Sequence, residues 1–212
     1  MTQALAPLAL QSAGQVVDWL RARVPAGGCL RTDSRQVAPG DAFIAWPGGV
    51  SDGRAFVADA VARGAVACVV ERAGAEAFQW GGLPVAALPA LKAACGPIAA
   101  QWFAQPSRQL DVIAITGTNG KTSTSWWLAQ AIGHLCERGV LAHRGSALVG
   151  TLGVGVAPDQ LVSTGMTTPD PVLLQQQLRQ FADQGLGACV MEASSIGIAE
   201  HRLDGTQIRV AV

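Results

Sequence analysis

The segment that decides the fold runs from Asp111 to Thr122 and reads Asp-Val-Ile-Ala-Ile-Thr-Gly-Thr-Asn-Gly-Lys-Thr. Its apolar start predicts a buried strand, and the residues after the second glycine predict a helix that begins at Lys121. A glycine-rich turn between a strand and a helix brings backbone N–H groups and the positive end of the helix dipole to one point. The segment therefore predicts a phosphate-binding loop within an α/β fold.

The residues of this loop have separate predicted tasks. Gly117 and Gly120 allow backbone angles that let successive N–H groups point at phosphate oxygens. We expect Lys121 to bring a positive charge to the β- and γ-phosphates of ATP, and the Thr122 hydroxyl to join the shell of Mg²⁺. The nucleotide contacts expected from the loop are Gly117, Thr118, Asn119, Gly120, Lys121, Thr122 and Ser123.

The loop departs from the general spacing G-x-x-x-x-G-K-[ST], because Ile115 stands where the first glycine would fall. The alternative is a surface corner whose lysine lies in water. The chain has only one other lysine, Lys92, and otherwise uses arginine for positive charge. A lysine, rather than an arginine, at position 121 between a strand and a helix therefore favours phosphate binding.

A second glycine set, Gly150-Thr-Leu-Gly-Val-Gly155, superficially resembles a dinucleotide-binding fingerprint. That fingerprint needs G-x-G-x-x-G between a strand and a helix, whereas these glycines interrupt an apolar run and are followed by Ala-Pro-Asp. We interpret them as a twisted strand and a turn.

The composition excludes several partners. The 212 residues carry 15 basic and 15 acidic side chains and are 50% hydrophobic, so a soluble globular protein with a sizeable core is expected. No basic cluster suggests nucleic acid or an anionic membrane, and no window approaches the roughly 20 apolar residues that span a bilayer. Without a charged secretory start, the expected location is cytoplasmic, and the expected partner is a small molecule bound by a monomer.

Cysteine and histidine usage gives no metal site. Five cysteines and three histidines are scattered, and no C-x-x-C pair has the spacing of zinc ligands. We expect buried thiols in a reducing compartment.

Strand-like and helix-like segments alternate along the chain, which predicts an α/β fold with a mostly parallel sheet. A polar break at Gln105–Arg108 contains a proline and suggests a domain boundary, giving domains 1–108 and 109–212. The sequence predicts strands at 42–46, 66–71, 112–116, 140–143, 151–156, 188–192 and 208–212. It predicts helices at 14–23, 54–63, 89–103, 121–135 and 171–184, with a kink or split at Gly96-Pro97. The chain stops inside the last strand, which suggests truncation.

The end of one predicted strand carries a candidate metal ligand. Glu192 follows the apolar run 188–191, where nucleotide-binding enzymes place a carboxylate that holds Mg²⁺ directly or through water. The alternative is a carboxylate that faces solvent at the end of a strand. The phosphate loop earlier in the chain favours the metal role, so Thr122 and Glu192 are the expected metal ligands.

Ordered motifs give the chain a family resemblance. The loop T-G-T-N-G-K-T resembles that of the Mur ligases and their folate-polyglutamate relatives. The block from Thr32-Asp-Ser-Arg35 through Pro39-Gly-Asp-Ala-Phe43 and Asp52-Gly-Arg-Ala-Phe56 to Gly64-Ala65 is similar to the uridine-nucleotide domain of the third- and fourth-step Mur ligases. Thr167-Thr-Pro-Asp170 and Met191-Glu-Ala-Ser-Ser195, which continues to His201-Arg202, resemble the type that adds the third amino acid. The similarity covers essentially the whole chain.

The resemblance implies substrate contacts that the residues alone leave open. Asp33-Ser34-Arg35 could be an ordinary turn capped by Asp33, but the resemblance implies that Ser34 and its neighbouring backbone hold the uracil and ribose. It places the glycine loop 48–53 near the diphosphate. The residues implied to bind the muramoyl-peptide are Thr167, Thr168, Ser194, Glu200 and Arg202.

Three positions depart from the family pattern. Met166 stands where asparagine is frequent, Ile196 where histidine is common after the serine pair, and Glu200 where an amide is frequent. These changes lie outside the phosphate loop and put only the peptide contacts in doubt.

The activity implied by the resemblance is ATP-dependent ligation through an acyl phosphate, with Lys121 and Glu192 as catalytic residues. Its substrates would be UDP-N-acetylmuramoyl-L-Ala-D-Glu and a diamino acid, either meso-diaminopimelate, which is the more common choice, or lysine. A modified lysine and a histidine that support a second Mg²⁺, and the C-terminal ligase domain that binds the amino acid, are expected downstream of Val212. This chain alone is therefore expected to lack ligase turnover. The alternatives are another Mur or folate-type ligase, and a nucleotide-binding module that senses rather than catalyses.

Overall fold

The computed structural model describes residues 6–80, 82–156 and 160–212. Contacts within the chain divide it into two compact units, Met1–Gln101 and Trp102–Val212. The structure makes this division earlier than the boundary expected after Arg108. The 3₁₀ turn Pro106–Arg108 packs against elements of the second unit, and the Ser107 hydroxyl accepts the N–H of Gln207.

The first unit is built on a parallel sheet. Its described strands are β1 (Leu8–Ala9), β2 (Leu30–Arg31), β3 (Ala42–Ala45), β4 (Ala67–Glu71) and β5 (Val85–Leu88), in the spatial order β1-β5-β4-β3-β2. All four strand pairs are parallel. Its helices are α1 (Ala13–Arg21), α2 (Val57–Ala62) and α3 (Leu91–Trp102).

The sequence did not predict strands β1, β2 and β5, and two of the elements it did predict for this unit differ from expectation. The expected helix over 54–63 opens as a 3₁₀ turn, Gly53–Phe56, before α2 begins. The expected split at Gly96-Pro97 is wrong, because α3 continues through Pro97. Leu91 and Ile98 on either side of the proline are fully buried. Their packing outweighs the loss of one backbone hydrogen bond in the helix.

The second unit contains a mixed sheet, and the predicted α/β class is confirmed. Its described strands are β6 (Asp111–Ile115), β7 (Ser146–Gly150), β8 (Gly153–Val156), β9 (Gln160–Val162), β10 (Ala188–Glu192) and β11 (Val210–Ala211), in the spatial order β11-β6-β10-β7-β8-β9. Strands β11, β6, β10 and β7 are parallel to one another, whereas β8 and β9 are antiparallel to their neighbours. Its helices are α4 (Lys121–Glu137), α5 (Pro171–Asp183) and α6 (Ser195–Ala199).

Helix α5 covers the main core of the second unit. It starts after Asp170, whose carboxylate accepts the N–H groups of Val172 and Leu173, with a proline at the first helical position. Its apolar face packs against β6, β7 and β10 and buries Leu174, Leu178 and Phe181. Helix α4 contributes Ala129 to a smaller buried cluster, which also contains Ile115, Leu148 and Val190. The sheet is therefore held between helices, and its strand ends are fixed in place.

The strand expected at 140–143 is wrong. Gly139 adopts φ 70°, and the N–H of Val140 bonds to the carbonyl of Leu135, so this segment terminates α4. Val140 is exposed, and the true strand is the fully buried run Ser146–Gly150. An apolar run that closes a helix was thus mistaken for a strand.

The strand and turn interpreted at the glycine set 150–155 are present, and the structure shows that they belong to a hairpin of β7 and β8. Gly150 pairs with Gly153 across β7 and β8, and the turn consists of the two residues between them. The final strand is Val210–Ala211, shorter than the predicted 208–212, although the N–H groups of Arg209 and Val212 also bond to carbonyls of β6.

The five cysteines are free thiols, and Cys68, Cys95 and Cys189 are buried. Burial raises the pKa of Cys68 and of Cys189 to about 12, which keeps both thiols protonated at neutral pH. None of the helices in the described ranges combines the length and apolar character needed to cross a membrane.

The core beneath α5 gives a stability prediction. Leu174→Ala removes a fully buried side chain and should lower the free energy of unfolding by about 2–5 kcal/mol. The matched control is Leu135→Ala at a partly exposed position, which should change it by no more than about 0.5 kcal/mol. Urea unfolding followed by circular dichroism measures both. Equal losses in the two variants would contradict this account of the core.

Candidate functional site

Three neighbouring strand ends form the candidate site of the second unit. Strand β10 lies between β6 and β7, and all three are parallel, so their carboxyl ends meet at one edge of the sheet. The glycine loop 116–120 follows β6, Glu192 ends β10, and Gly150 ends β7 and is followed by Thr151. In the register, Glu192 pairs with Ile115, the last residue before the loop. The topology therefore places the expected carboxylate beside the expected phosphate loop.

The loop depends on the backbone angles of its two glycines. Gly117 and Gly120 adopt φ 121° and 81°, which side-chain-bearing residues rarely do. The ammonium Nζ of Lys121 donates a hydrogen bond of 2.6 Å to the carbonyl oxygen of Gly117, so the side chain folds back onto the loop. Among the residues that the structure describes, no side chain caps α4, whereas Ser12, Asp170 and Ser194 cap α1, α5 and α6. The first N–H groups of α4 are therefore left for an external anion.

Glu192 is a buried carboxylate held by neutral donors. It is 1% exposed. The Thr122 hydroxyl donates to Oε2 at 2.9 Å, and the backbone N–H of Thr151 donates to Oε1 at 2.8 Å. Within residues 6–80, 82–156 and 160–212, no lysine, arginine or histidine lies close enough to pair with it. The negative charge is thus stabilised by hydrogen bonds alone.

This environment fits a magnesium ion. A buried, unpaired carboxylate next to a threonine hydroxyl supplies the oxygen ligands that Mg²⁺ prefers, while nucleotide phosphates and water complete its shell. Thr122 and Glu192 would hold the ion. No group of three His, Cys, Asp or Glu side chains in the described ranges could hold a metal by itself.

The threonine pair expected to bind substrate has two different environments. The Thr167 hydroxyl lies 3.0 Å from the Thr151 hydroxyl at the open edge of the site. Thr168 is buried, and its hydroxyl donates to the Glu192 carbonyl oxygen at 2.9 Å and contacts the Ser194 hydroxyl at 3.0 Å. Thr168 therefore ties the end of β10 to the preceding loop.

The remaining expected peptide contacts surround α6. The Ser194 hydroxyl accepts the N–H of Gly197 and so caps this helix. A guanidinium nitrogen of Arg202 donates to the carbonyl of Thr168 at 2.8 Å and lies 3.6 Å from the sulfur of Met166. Glu200 is exposed just after the helix ends. Ser194 and Arg202 thus share one hydrogen-bonded network with Thr168 and Glu192.

The first unit contains a cleft of about 750 Å³. The Thr32–Arg35 turn, the end of β3 and residues of the 48–53 loop line it, together with Phe56 and Asp59. The loop is folded back on itself, since the N–H of Gly53 bonds to the carbonyl of Trp46. Two segments that the sequence linked to one nucleotide therefore line the same cleft.

Hydrogen bonds set the electrostatics of this cleft. The buried Ser34 hydroxyl donates to Asp59 and lowers the pKa of that carboxyl. Arg35 bonds the carboxylate of Asp33 and lowers its pKa. Asp33 also accepts the backbone N–H of Arg35. This is the bond expected of an ordinary turn capped by Asp33, so the position of the Asp33 side chain needs no ligand to explain it.

Sequence reasoning missed two residues of the site in the second unit, Gly150 and Thr151. They were interpreted only as part of a strand and a turn, yet Thr151 contacts both Glu192 and Thr167. The available signal was their position after a buried strand, because parallel strands bring their carboxyl ends together.

Comparison with known proteins covers both units. A family model described as "Mur ligase family, catalytic domain" matches residues 29–101, and one described as "Mur ligase middle domain" matches residues 115–212. The UDP-N-acetylmuramoyl-L-alanyl-D-glutamate--2,6-diaminopimelate ligase of Acidovorax sp. (strain JS42) is 61% identical over 198 residues. The alignment covers 93% of this chain and 39% of that relative, so the chain spans about two fifths of its length.

Solved structures agree with these matches. A structure of UDP-N-acetylmuramoyl-L-alanyl-D-glutamate--2,6-diaminopimelate ligase has a TM-score of 0.67 and 32% identity, covering 86% of this chain and 35% of that one. The UDP-N-acetylmuramoylalanyl-D-glutamyl-2,6-diaminopimelate--D-alanyl-D-alanyl ligase of Acinetobacter baumannii has a TM-score of 0.58 at 23% identity, covering 100% of this chain and 42% of that one, which shows a shared fold. Two family models in the order of the two units, together with a curated relative at 61% identity, agree on one assignment: the chain belongs to the Mur ligase family.

Proposed function

We propose that this chain supplies the substrate-binding and ATP-binding units of a ligase of peptidoglycan precursor synthesis. This ligase joins meso-diaminopimelate to UDP-N-acetylmuramoyl-L-Ala-D-Glu and depends on ATP. The observation that carries the proposal is the contact between Thr122, at the start of the phosphate loop's helix, and the buried carboxylate of Glu192. The identity of 61% with a diaminopimelate ligase supports the choice of substrates.

The proposed reaction has two steps. An oxygen of the D-Glu carboxylate attacks the γ-phosphorus of ATP, which forms an acyl phosphate and releases ADP. The amine of diaminopimelate then attacks the acyl carbon, so that an amide forms, phosphate leaves, and the nitrogen loses a proton. Because the first step brings two anions together, its main requirement is positive charge and positioning.

Residues of this chain meet that requirement in separate ways. Lys121 would move its ammonium group from the Gly117 carbonyl to the β- and γ-phosphates, while backbone N–H groups around Asn119 bind phosphate oxygens. Mg²⁺, when held by Thr122 and Glu192, supplies further positive charge to the phosphates. We assign peptide binding to Thr167, Ser194, Glu200 and Arg202.

Thr168 calls for a more specific assignment. Its hydroxyl already bonds the Glu192 carbonyl and the Ser194 hydroxyl and is 1% exposed. We therefore assign it a positioning role, in which it fixes Thr167 on one side and Ser194 on the other.

The cleft of the first unit is proposed to bind the uridine nucleotide. Ser34 lies in its wall, and the 48–53 loop presents backbone where a diphosphate would approach. We propose that the protein acts in the cytoplasm, where UDP-muramoyl precursors and ATP are both available.

Two other functions are distinguishable. A ligase that adds D-alanyl-D-alanine has a related fold, but Thr167-Thr-Pro-Asp170 and Met191-Glu-Ala-Ser-Ser195 favour the third-step type. A module that only senses nucleotide would bind ATP and ignore UDP-N-acetylmuramoyl-dipeptide. Separate titrations with the two ligands distinguish such a module from a ligase.

The phosphate loop gives the first test. Lys121→Ala removes the ammonium group and should weaken ATP binding by about 10- to 100-fold, as expected when a charged hydrogen bond is lost. Lys92→Ala is the matched control, because it removes the only other lysine and lies in the first unit. Isothermal titration calorimetry with ATP and Mg²⁺ measures both. Unchanged affinity in Lys121→Ala would count against the proposal.

The cleft gives the second test. Ser34→Ala removes a buried hydroxyl and its bond to Asp59, and should weaken binding of UDP-N-acetylmuramoyl-dipeptide by about 5- to 30-fold, equivalent to roughly 1–2 kcal/mol. Ser163→Ala, at an exposed position in the second unit, is the control and should bind as the unaltered chain does. If both variants bind this ligand equally well, the cleft is not the uridine site.

A further inference from the structure

The turn after β7 contacts the Glu192 carboxylate from the side opposite the phosphate loop. The backbone N–H of Thr151 donates to Oε1 at 2.8 Å, while the Thr122 hydroxyl donates to Oε2 at 2.9 Å. Each carboxylate oxygen therefore has a close donor, one from the start of α4 and the other from the turn after β7. Two such donors on separate oxygens fix the plane of a carboxylate as well as its position.

Gly150 is required by the space that this carboxylate occupies. A Cβ atom built at Gly150 would lie 2.3 Å from Oε1 of Glu192 and 3.0 Å from its Cδ and Cγ atoms. Its backbone lies outside the left-handed region, so the conformation alone would accept any L-residue. The absence of a side chain at this position therefore serves the carboxylate rather than the turn.

The Thr151 side chain extends the contact toward the peptide site. Its hydroxyl lies 3.0 Å from the Thr167 hydroxyl and 3.4 Å from Oε2 of Glu192. The side chain is exposed at the open edge of the site. One residue thus touches both the expected metal ligand and a threonine expected to bind substrate.

We propose that Gly150 and Thr151 are positioning residues that orient the Glu192 carboxylate toward the Mg²⁺ bound with ATP. This inference rests on the proposed function, because it assumes that ATP binds with Mg²⁺ at the phosphate loop. The carboxylate is buried without a cationic partner, so its orientation depends on the donors around it. Thr122 bonds only one of its oxygens, and the backbone N–H of Thr151 bonds the other.

The experiment measures the Mg²⁺ dependence of ATP affinity in the 212-residue chain by isothermal titration calorimetry, with Mg²⁺ and then with EDTA. The ratio of the two dissociation constants reports on the metal site and requires no turnover. Gly150→Ala should reduce this ratio by about tenfold or more, the loss typical when a neighbour of a metal ligand is altered. ATP affinity in EDTA should stay within about twofold, because the phosphate loop is unchanged.

The control and the reference variant separate positioning from damage to the fold. Gly133→Ala adds the same methyl group where nothing lies within 4 Å, and should keep the ratio of the unaltered chain. Glu192→Gln should abolish most of the Mg²⁺ effect, and adding Gly150→Ala to it should cause little further loss of that effect. A merely structural role for Gly150 would instead lower affinity equally with Mg²⁺ and with EDTA.

A second variant keeps the proposal testable if Gly150→Ala does not fold. Thr151→Val retains the backbone N–H but loses the hydroxyl, and should reduce the Mg²⁺ effect by about two- to fivefold, whereas Thr151→Ser should restore it. The inference is overturned if folded Gly150→Ala, or in its absence Thr151→Val, keeps the full Mg²⁺ effect. If the unaltered chain binds ATP without any Mg²⁺ effect, the proposed function fails before this inference is reached.

Discussion

The buried carboxylate of Glu192 is the constraint around which the second unit is arranged. An anion that is 1% exposed and has no cationic neighbour in the described ranges is costly unless several donors bond it. Here the donors come from the loop side of α4 and from the turn after β7. The parallel pairing of β10 with both neighbouring strands is what brings those two donors to one carboxylate.

Much of this fold follows from the sequence, because local signals and tertiary packing agree over long segments. The run from Asp111 to Ile115 and the helix from Lys121 were predictable, since an apolar strand, a glycine turn and a long helix succeed one another. The signals failed where a short apolar run had two possible uses. Val140 follows a glycine that closes α4, and only the capping geometry decides against a strand there.

The site could be predicted where the residue type itself indicates a chemical role. Glycine, lysine and a glutamate at a strand end indicate such roles, and the structure brings Thr122 and Glu192 together. Thr151 does not, because it acts on the carboxylate mainly through its backbone N–H, which every residue except proline possesses. Gly150 also gives no sign of its role in the sequence, because it matters only for the space it leaves to the carboxylate of Glu192, which is distant in sequence. Contacts of this kind depend on strand order, which a single sequence does not specify.

If ATP binds at the loop as proposed, the same arrangement would favour a divalent cation in this site. Bringing a triphosphate next to Glu192 places several negative charges beside a buried one, and each pair of unit charges about 4 Å apart costs about 4 kcal/mol at the effective dielectric constant near a protein surface. The single ammonium of Lys121 and the N–H groups of the loop offset only part of this repulsion. Mg²⁺, which Thr122 and Glu192 would hold, would supply positive charge that offsets the remaining repulsion. We therefore expect the proposed site to bind the metal complex of ATP more tightly than free ATP, and this preference would require the carboxylate to be held in one orientation.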